Sequence, residues 1–184
     1  MRHNFGEPYR AERIVFGASR PGYPDKLVEL SRIKEWLSFV KAKGIRRVCC
    51  LLQKTQLDYY KENLLSIYSV EFGQDNLCHA PIKDYHLCDS VILIGKILPF
   101  LEESDLLRQK VVVHCSGGSG RTGHVLAGWL IYKHNLSVEI ALTAVVESGR
   151  DPFEAMKCGN TTIDELYSLL RHCKKYSNTR ETEV

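Results

Sequence analysis

Val111–Gly123 reads VVVHCSGGSGRTG. Lys110–His114 (KVVVH) is a short β-branched run, the pattern of a central strand in a parallel sheet. Three of the five residues between Cys115 and Arg121 are glycine, so the backbone turns tightly there. From Thr122 onward the spacing is helical, and His124–His134 (HVLAGWLIYKH) is apolar nearly all round, as a buried helix is. Upstream, strands are predicted over Arg13–Phe16, Arg47–Leu52 and Leu77–Ile82. A helix is predicted from Pro24–Asp25, with Asp25 as N-cap, Leu27, Leu30, Ile33, Trp36, Leu37 and Val40 on its apolar face, and Gly44 as its stop. A weaker helix covers Leu57–Tyr68, and another spans Ser90–Leu101, shortened or kinked by Pro99. Downstream, Ser137 caps a helix to Ser148, and Thr162 and Glu165 form the capping box of the last one. The pattern predicts an α/β fold: a mostly parallel central sheet flanked by helices, with a helical C-terminal third.

The same segment carries the chemistry. Glycines let backbone N–H groups turn inward around an anion, and the following helix adds its own free N–H groups and positive dipole end. Ser116, Gly117, Gly118, Ser119 and Gly120 would form such a cradle, and Arg121 could grip two phosphate oxygens with its planar fork. A helix N-terminus and a nearby cation also favour a thiolate, so Cys115 is expected to be ionised and nucleophilic at neutral pH. A thiolate at the base of a phosphate cradle attacks phosphorus in line and gives a phosphocysteine. A plain buried cysteine beside a turn is the competing reading, but it does not account for the joint pattern.

HCSGGSGRTG resembles the signature loop of the cysteine-based protein phosphatases: His-Cys, five residues, Arg, then Ser or Thr. With GASRPGYP, VCCLL and PIKDYHLCD, it is similar to small archaeal-type dual-specificity phosphatases over roughly residues 12–172. The resemblance implies that Cys115 is the nucleophile and that Arg121 binds phosphate and stabilises the transition state. It implies that Thr122 donates to the departing sulfur, and that His114 orients the loop and keeps the thiolate pKa low. A first-turn cap is the plain reading of Thr122, and a satisfied core histidine that of His114.

An ester leaving group needs a proton, and the loop after Leu77–Ile82 offers Asp84 and Asp89. Asp89 precedes Ser90 at a helix start, where Asp is a favoured N-cap. Asp84 follows a strand expected to lie beside the central one, and its spacing fits the family's acid loop. Asp84 is therefore taken as the acid, and as the base for water in the second step. Tyr85 and His86 either line the pocket or cover the loop. Arg20 and Lys54 either fringe the site or are solvated surface charges, and Asn160 is read as a turn residue. Cys49, Cys50 and Cys88 raise the possibility of a disulfide with an oxidised Cys115; strand packing is the favoured reading of the first two.

The remaining features set bounds. A chain of 184 residues, 44% hydrophobic and 26% charged, is the size and composition of one soluble domain. The expected organisation is an exposed segment over 1–12, a phosphatase domain over 13–175 and an exposed tail over 176–184. No apolar run approaches a membrane span and no secretory signal opens the chain, so a cytoplasmic protein without membrane association is expected. The seven cysteines show no paired Cys/His ligand spacing, so no metal and no cofactor are expected. Net charge is +3 without a basic stripe, which gives little support to nucleic-acid partners or to an RNA 5′-phosphatase. SGGSG lacks the loop lysines of inositol-lipid phosphatases in this superfamily. A non-hydrolysing phosphoprotein-binding module would have lost Cys115, Arg121 or Asp84. Phosphoproteins are the expected partners; Thr182–Val184 also fits a T-x-V ligand for a PDZ domain, on three residues only.

Overall fold

The computed structural model describes residues 2–181, with side chains for residues 3–174. Strands β1 (Val15–Ser19), β2 (Ile45–Cys50), β3 (Leu77–His79) and β4 (Lys110–Cys115) form a four-stranded sheet in the order β1-β4-β2-β3. All three pairings are parallel. β4 is interior, as its three consecutive valines require. β3 lies one strand further out than expected, pairing with β2 rather than with β4.

Side chains alternate along β4. Val111, Val113 and Cys115 enter the core beneath α5 (Leu98–Leu106), α6 (Gly120–His134), α7 (Val138–Glu147) and α9 (Ile163–Glu181). Val112 faces the opposite core, under α1 (Leu30–Ala42) and α3 (Leu64–Phe72). The helix α6 is buried along nearly its whole length, as its apolar circumference predicts.

Several boundaries differ from the sequence expectation, each for a tertiary reason. The first helix begins at Leu30, not Asp25. The preceding loop wraps the buried Arg20 guanidinium, which takes the carbonyls of Pro21, Pro24 and Asp25. β1 starts at Val15, two residues late, after the Glu12 carboxylate has accepted the amides of Arg13, Ile14 and Val15. The helix expected over Leu57–Tyr68 is two: α2 (Lys54–Leu57), and α3, whose start is capped by Asn63 accepting from the Ser66 amide. Pro99 does not end its helix. α4 (Ser90–Ile92) runs through a π-turn at Leu93–Ile97 into α5, the wider turn accommodating the missing Pro99 N–H. The caps at Asp89, Ser137 and Thr162–Glu165 form as predicted.

Residues 3–12 are not an exposed end. Phe5 stacks on Phe16, Gly6 bridges to Gly17 along the open edge of β1, and Glu12 is only 3% exposed. Apolar rings and a strand edge left bare would otherwise face water, and this segment covers both. The PDZ-type tail Thr182–Val184 lies outside the described residues. No helix among the described residues is long and apolar enough to cross a membrane.

Candidate active site

Cys115 ends β4, almost fully buried, and the loop Ser116–Ser119 leads to α6. Gly118 has φ +71°, and a Cβ there would meet the Ala18 carbonyl and come within 2.6 Å of the Ser19 nitrogen. Only glycine fits, so β1 serves as the wall against which the loop is folded. Behind the loop, the Asn4 side-chain amide donates to the carbonyls of Gly117 (3.2 Å) and Gly118 (3.0 Å). Arg20, 1% exposed, donates from its backbone N–H to the Ser116 carbonyl at 3.0 Å and from Nε to Ser116 Oγ at 3.2 Å. Arg20 is thus neither a fringe charge nor a solvated one; it braces the loop. Lys54 is exposed, as expected of a surface charge.

His114 points to the α1–α3 side. Tyr68 Oη–H donates to its Nε2 at 3.1 Å, and its Nδ1 bonds the Cys115 carbonyl at 3.3 Å. Burial, reinforced by the Arg20 and Arg121 charges, pushes its pKa down to about 3. It is neutral at physiological pH and anchors the strand end as a satisfied core histidine. Neutral and bonded on both ring nitrogens, it fits the core-histidine reading rather than a direct electrostatic role. Thr122 is buried in the first turn of α6, and its hydroxyl has no hydrogen-bond partner.

Arg121 and Asp84 come together. Arg121 Nη2 pairs with Asp84 Oδ1 at 2.7 Å, and Nη1 donates to Gln56 Oε1 (2.7 Å) and to the Ile82 carbonyl (3.1 Å). Gln56 Nε2 donates to Asp84 Oδ2 at 2.9 Å, closing a ring of three side chains. Arg121 Nε is buried and has no partner. Asp89 instead caps α4, accepting from the amides of Val91 and Ile92. Tyr85 has φ +58°, strained for a bulky residue, and its carbonyl accepts from Asn160. Tyr85 and Tyr23 are about half exposed, and the Tyr23 ring lies 3.4 Å from where a Gly117 Cβ would be. His86 bonds its own loop through the Asp84 carbonyl.

Sequence reading missed Gln56, Asn4, His124 and Glu154. His124 Nδ1 bonds the Gly120 carbonyl at 3.1 Å and Nε2 accepts from the Cys88 amide at 3.0 Å, linking the loop of Asp84 to the start of α6. Burial pushes its pKa down to about 4. Glu154, at the start of α8 (Glu154–Lys157), lies against Gly120. No local spacing marks these residues, because tertiary approach alone brings them in. Cys49 faces Cys78 across the β2–β3 register, and Cys50 and Cys88 are buried thiols that burial pushes up to about 12. Core packing describes them.

A strand ending in a buried cysteine, a glycine-walled loop and an arginine opening the next helix define a compact dual-specificity cysteine phosphatase. Residues 25–135 match the family described as "Polymorphic toxin system, DSP-PTPase phosphatase", and the chain belongs to that family. Among solved structures, Tk-PTP in its active form aligns with a TM-score of 0.68 at 23% identity, over 95% of this chain and 99% of that one. Kinase associated phosphatase, carrying serine for its catalytic cysteine, gives 0.68 at 23% identity, over 89% and 87%. TpbA of P. aeruginosa gives 0.55 at 15% identity, over 92% of each chain. At these identities the likeness is one of fold. No curated protein matches the sequence.

Proposed function

We propose that this protein hydrolyses phosphomonoesters on tyrosine, and on serine or threonine, in phosphoproteins through a phosphocysteine intermediate. The observation that carries this reading is the convergence of Arg121 and Asp84 at the loop that begins at Cys115. On substrate entry, Arg121 exchanges its Asp84 contact for phosphate oxygens, using the unpartnered Nε as the second prong of its fork. Cys115 Sγ attacks phosphorus, the P–O ester bond breaks, and Asp84 transfers a proton to the departing oxygen. In the second step Asp84 takes a proton from water as that water attacks the phosphocysteine. The sulfur leaves as thiolate, stabilised by the free Thr122 hydroxyl. Tyr23 beside Gly117 offers an aromatic ring to a phenyl substrate. A non-hydrolysing binding role is disfavoured because the chain keeps Cys115, Arg121 and Asp84.

The test is Cys115→Ser. The variant should bind inorganic phosphate and fold as the parent does, yet lose turnover of p-nitrophenyl phosphate and form no acid-stable phosphoprotein on rapid quench. Near-parental turnover ends the phosphocysteine mechanism.

A further inference from the structure

We propose that Glu154 is a built-in competitor for the phosphate cradle: its carboxylate holds the Gly120 backbone until a phosphate displaces it, and so selects against substrates with further negative charge beside the ester. The inference rests on the reading of the loop as a phosphate site.

The fold places this carboxylate deliberately. The segment Asp151–Glu154 crosses the start of α6, tied down by the Asp151 amide donating to Ser119 Oγ at 3.1 Å. Pro152 packs on Gly123, where an added Cβ would come 3.1 Å from the Pro152 nitrogen. At Gly120 an added Cβ would run into the Glu154 carboxylate, so only glycine lets it lie against the backbone there, and that backbone favours its ionised form. Gly120 is the last residue between Cys115 and Arg121, so its amide is one of those available to an incoming oxyanion.

The charges around Glu154 give the interaction its sign. Arg121 attracts it, while Asp84 and Asp151 repel it; the Tyr85 phenol also feels its field. Lys157, on the same short helix, pairs with Asp151 at 2.6 Å. Burial first, then Asp84, raise the Glu154 carboxyl above its ordinary range, partly offset by Arg121 and the Gly120 backbone. A dianion entering beside it must push the carboxylate away or meet it protonated. A second anionic group on the substrate meets the same rim of Asp84, Asp151 and Glu154.

A plain structural role competes with this: a carboxylate at a helix N-terminus stabilises the helix dipole. The two part in the experiment. Sulfate serves as the probe because it stays dianionic throughout mildly acid and neutral pH. In calorimetric titrations of the full chain, Glu154→Gln should bind sulfate roughly 5–10-fold more tightly at neutral pH. The parent's affinity should rise as pH falls, and the variant should lose part of that rise. In kinetics, Glu154→Gln should raise kcat/KM more for a phosphotyrosine peptide flanked by Asp and Glu than for a neutral one. Unchanged or weaker sulfate binding with the parental pH dependence overturns the proposal, whether or not the melting temperature falls. Loss of the basic limb of kcat/KM in Glu154→Gln also overturns it, making Glu154 a proton donor of the reaction instead. If the parent neither binds sulfate nor hydrolyses an aryl phosphate, the phosphatase reading fails first, and the proposal with it.

Discussion

Glu12→Gln should destabilise the protein by about 3 kcal/mol at neutral pH. The carboxylate is buried between the start of β1 and the last turns of α6. Its Oε1 accepts from the amides of Arg13 (2.9 Å), Ile14 (2.8 Å) and Val15 (3.0 Å), and its Oε2 bonds Trp129 Nε1 (2.8 Å) and His134 Nε2 (2.9 Å). Burial alone would raise its pKa, but the bonds to His134, Ile14, Val15 and Trp129 outweigh it and hold the carboxyl down to about 2. A fall from 4.5 to about 2, at about 1.4 kcal/mol per tenfold change, is worth about 3 kcal/mol. Because the folded-state pKa is depressed, that stability is fully present above 4.5 and is lost as pH falls through about 2. Glutamine keeps one acceptor but turns an NH₂ toward the Trp129 N–H, a donor facing a donor. For a chain of this size the expected drop in melting temperature is roughly 6–12 °C. Thermal unfolding followed by circular dichroism at neutral pH measures it, and repeating the scan near pH 2–3 should shrink the gap between parent and variant. Equal melting temperatures at neutral pH, or a gap that stays constant down to the lowest pH, would refute the reasoning.

Asp84→Asn should slow hydrolysis of phosphotyrosine and phosphoserine peptides by roughly 10²–10⁴-fold, hurt p-nitrophenyl phosphate less, and flatten the basic limb of kcat/KM. Asp89→Asn should cost only a cap, about 1 kcal/mol in a denaturant titration; the opposite pattern would move the acid five residues along the chain. Arg121→Lys should abolish most turnover despite keeping the charge, because lysine cannot bond Gln56, Ile82 and Asp84 from one planar group; a variant with most of its rate would exclude bidentate phosphate binding. Gly118→Ala should lose activity with p-nitrophenyl phosphate, since its Cβ meets the Ala18 carbonyl at a positive φ; parental activity would mean the loop can take another shape.

What the sequence revealed follows the range of each interaction. Cys115, its glycines, Arg121 and the helix after them are a continuous stretch whose geometry is local, and the caps at Asp89, Ser137 and Thr162 act within one turn. The cap at Asp89 was legible too, and it left Asp84 as the spare carboxylate, which the fold sets against Arg121. Gln56 and Glu154 left no such trace. Gln56 is an unremarkable polar residue until folding brings it 65 residues back in sequence from Arg121. Arg20 misled for the same reason. An arginine among glycine and prolines reads as surface, and only the folded loop supplies the carbonyls that bury it. His114 was legible as to place, but its charge state depended on an environment closed by Trp36 and Tyr68.

The loop that carries Asp84 is leashed at both ends to a single helix turn. Upstream, the Ile82 carbonyl is held by Arg121; downstream, the Cys88 amide is held by His124, three residues further along the same helix. Only the short arc from Lys83 to Leu87 lies between these tethers, and Tyr85 within it is fastened again through Asn160. The carboxyl of Asp84 therefore travels with the loop Ser116–Ser119 and the start of α6 as part of one body. A wide swing of this loop would have to break its ties to α6. Turnover in such an enzyme is expected to be limited by chemistry or product departure, with little sensitivity to added viscogen in any loop-closing step.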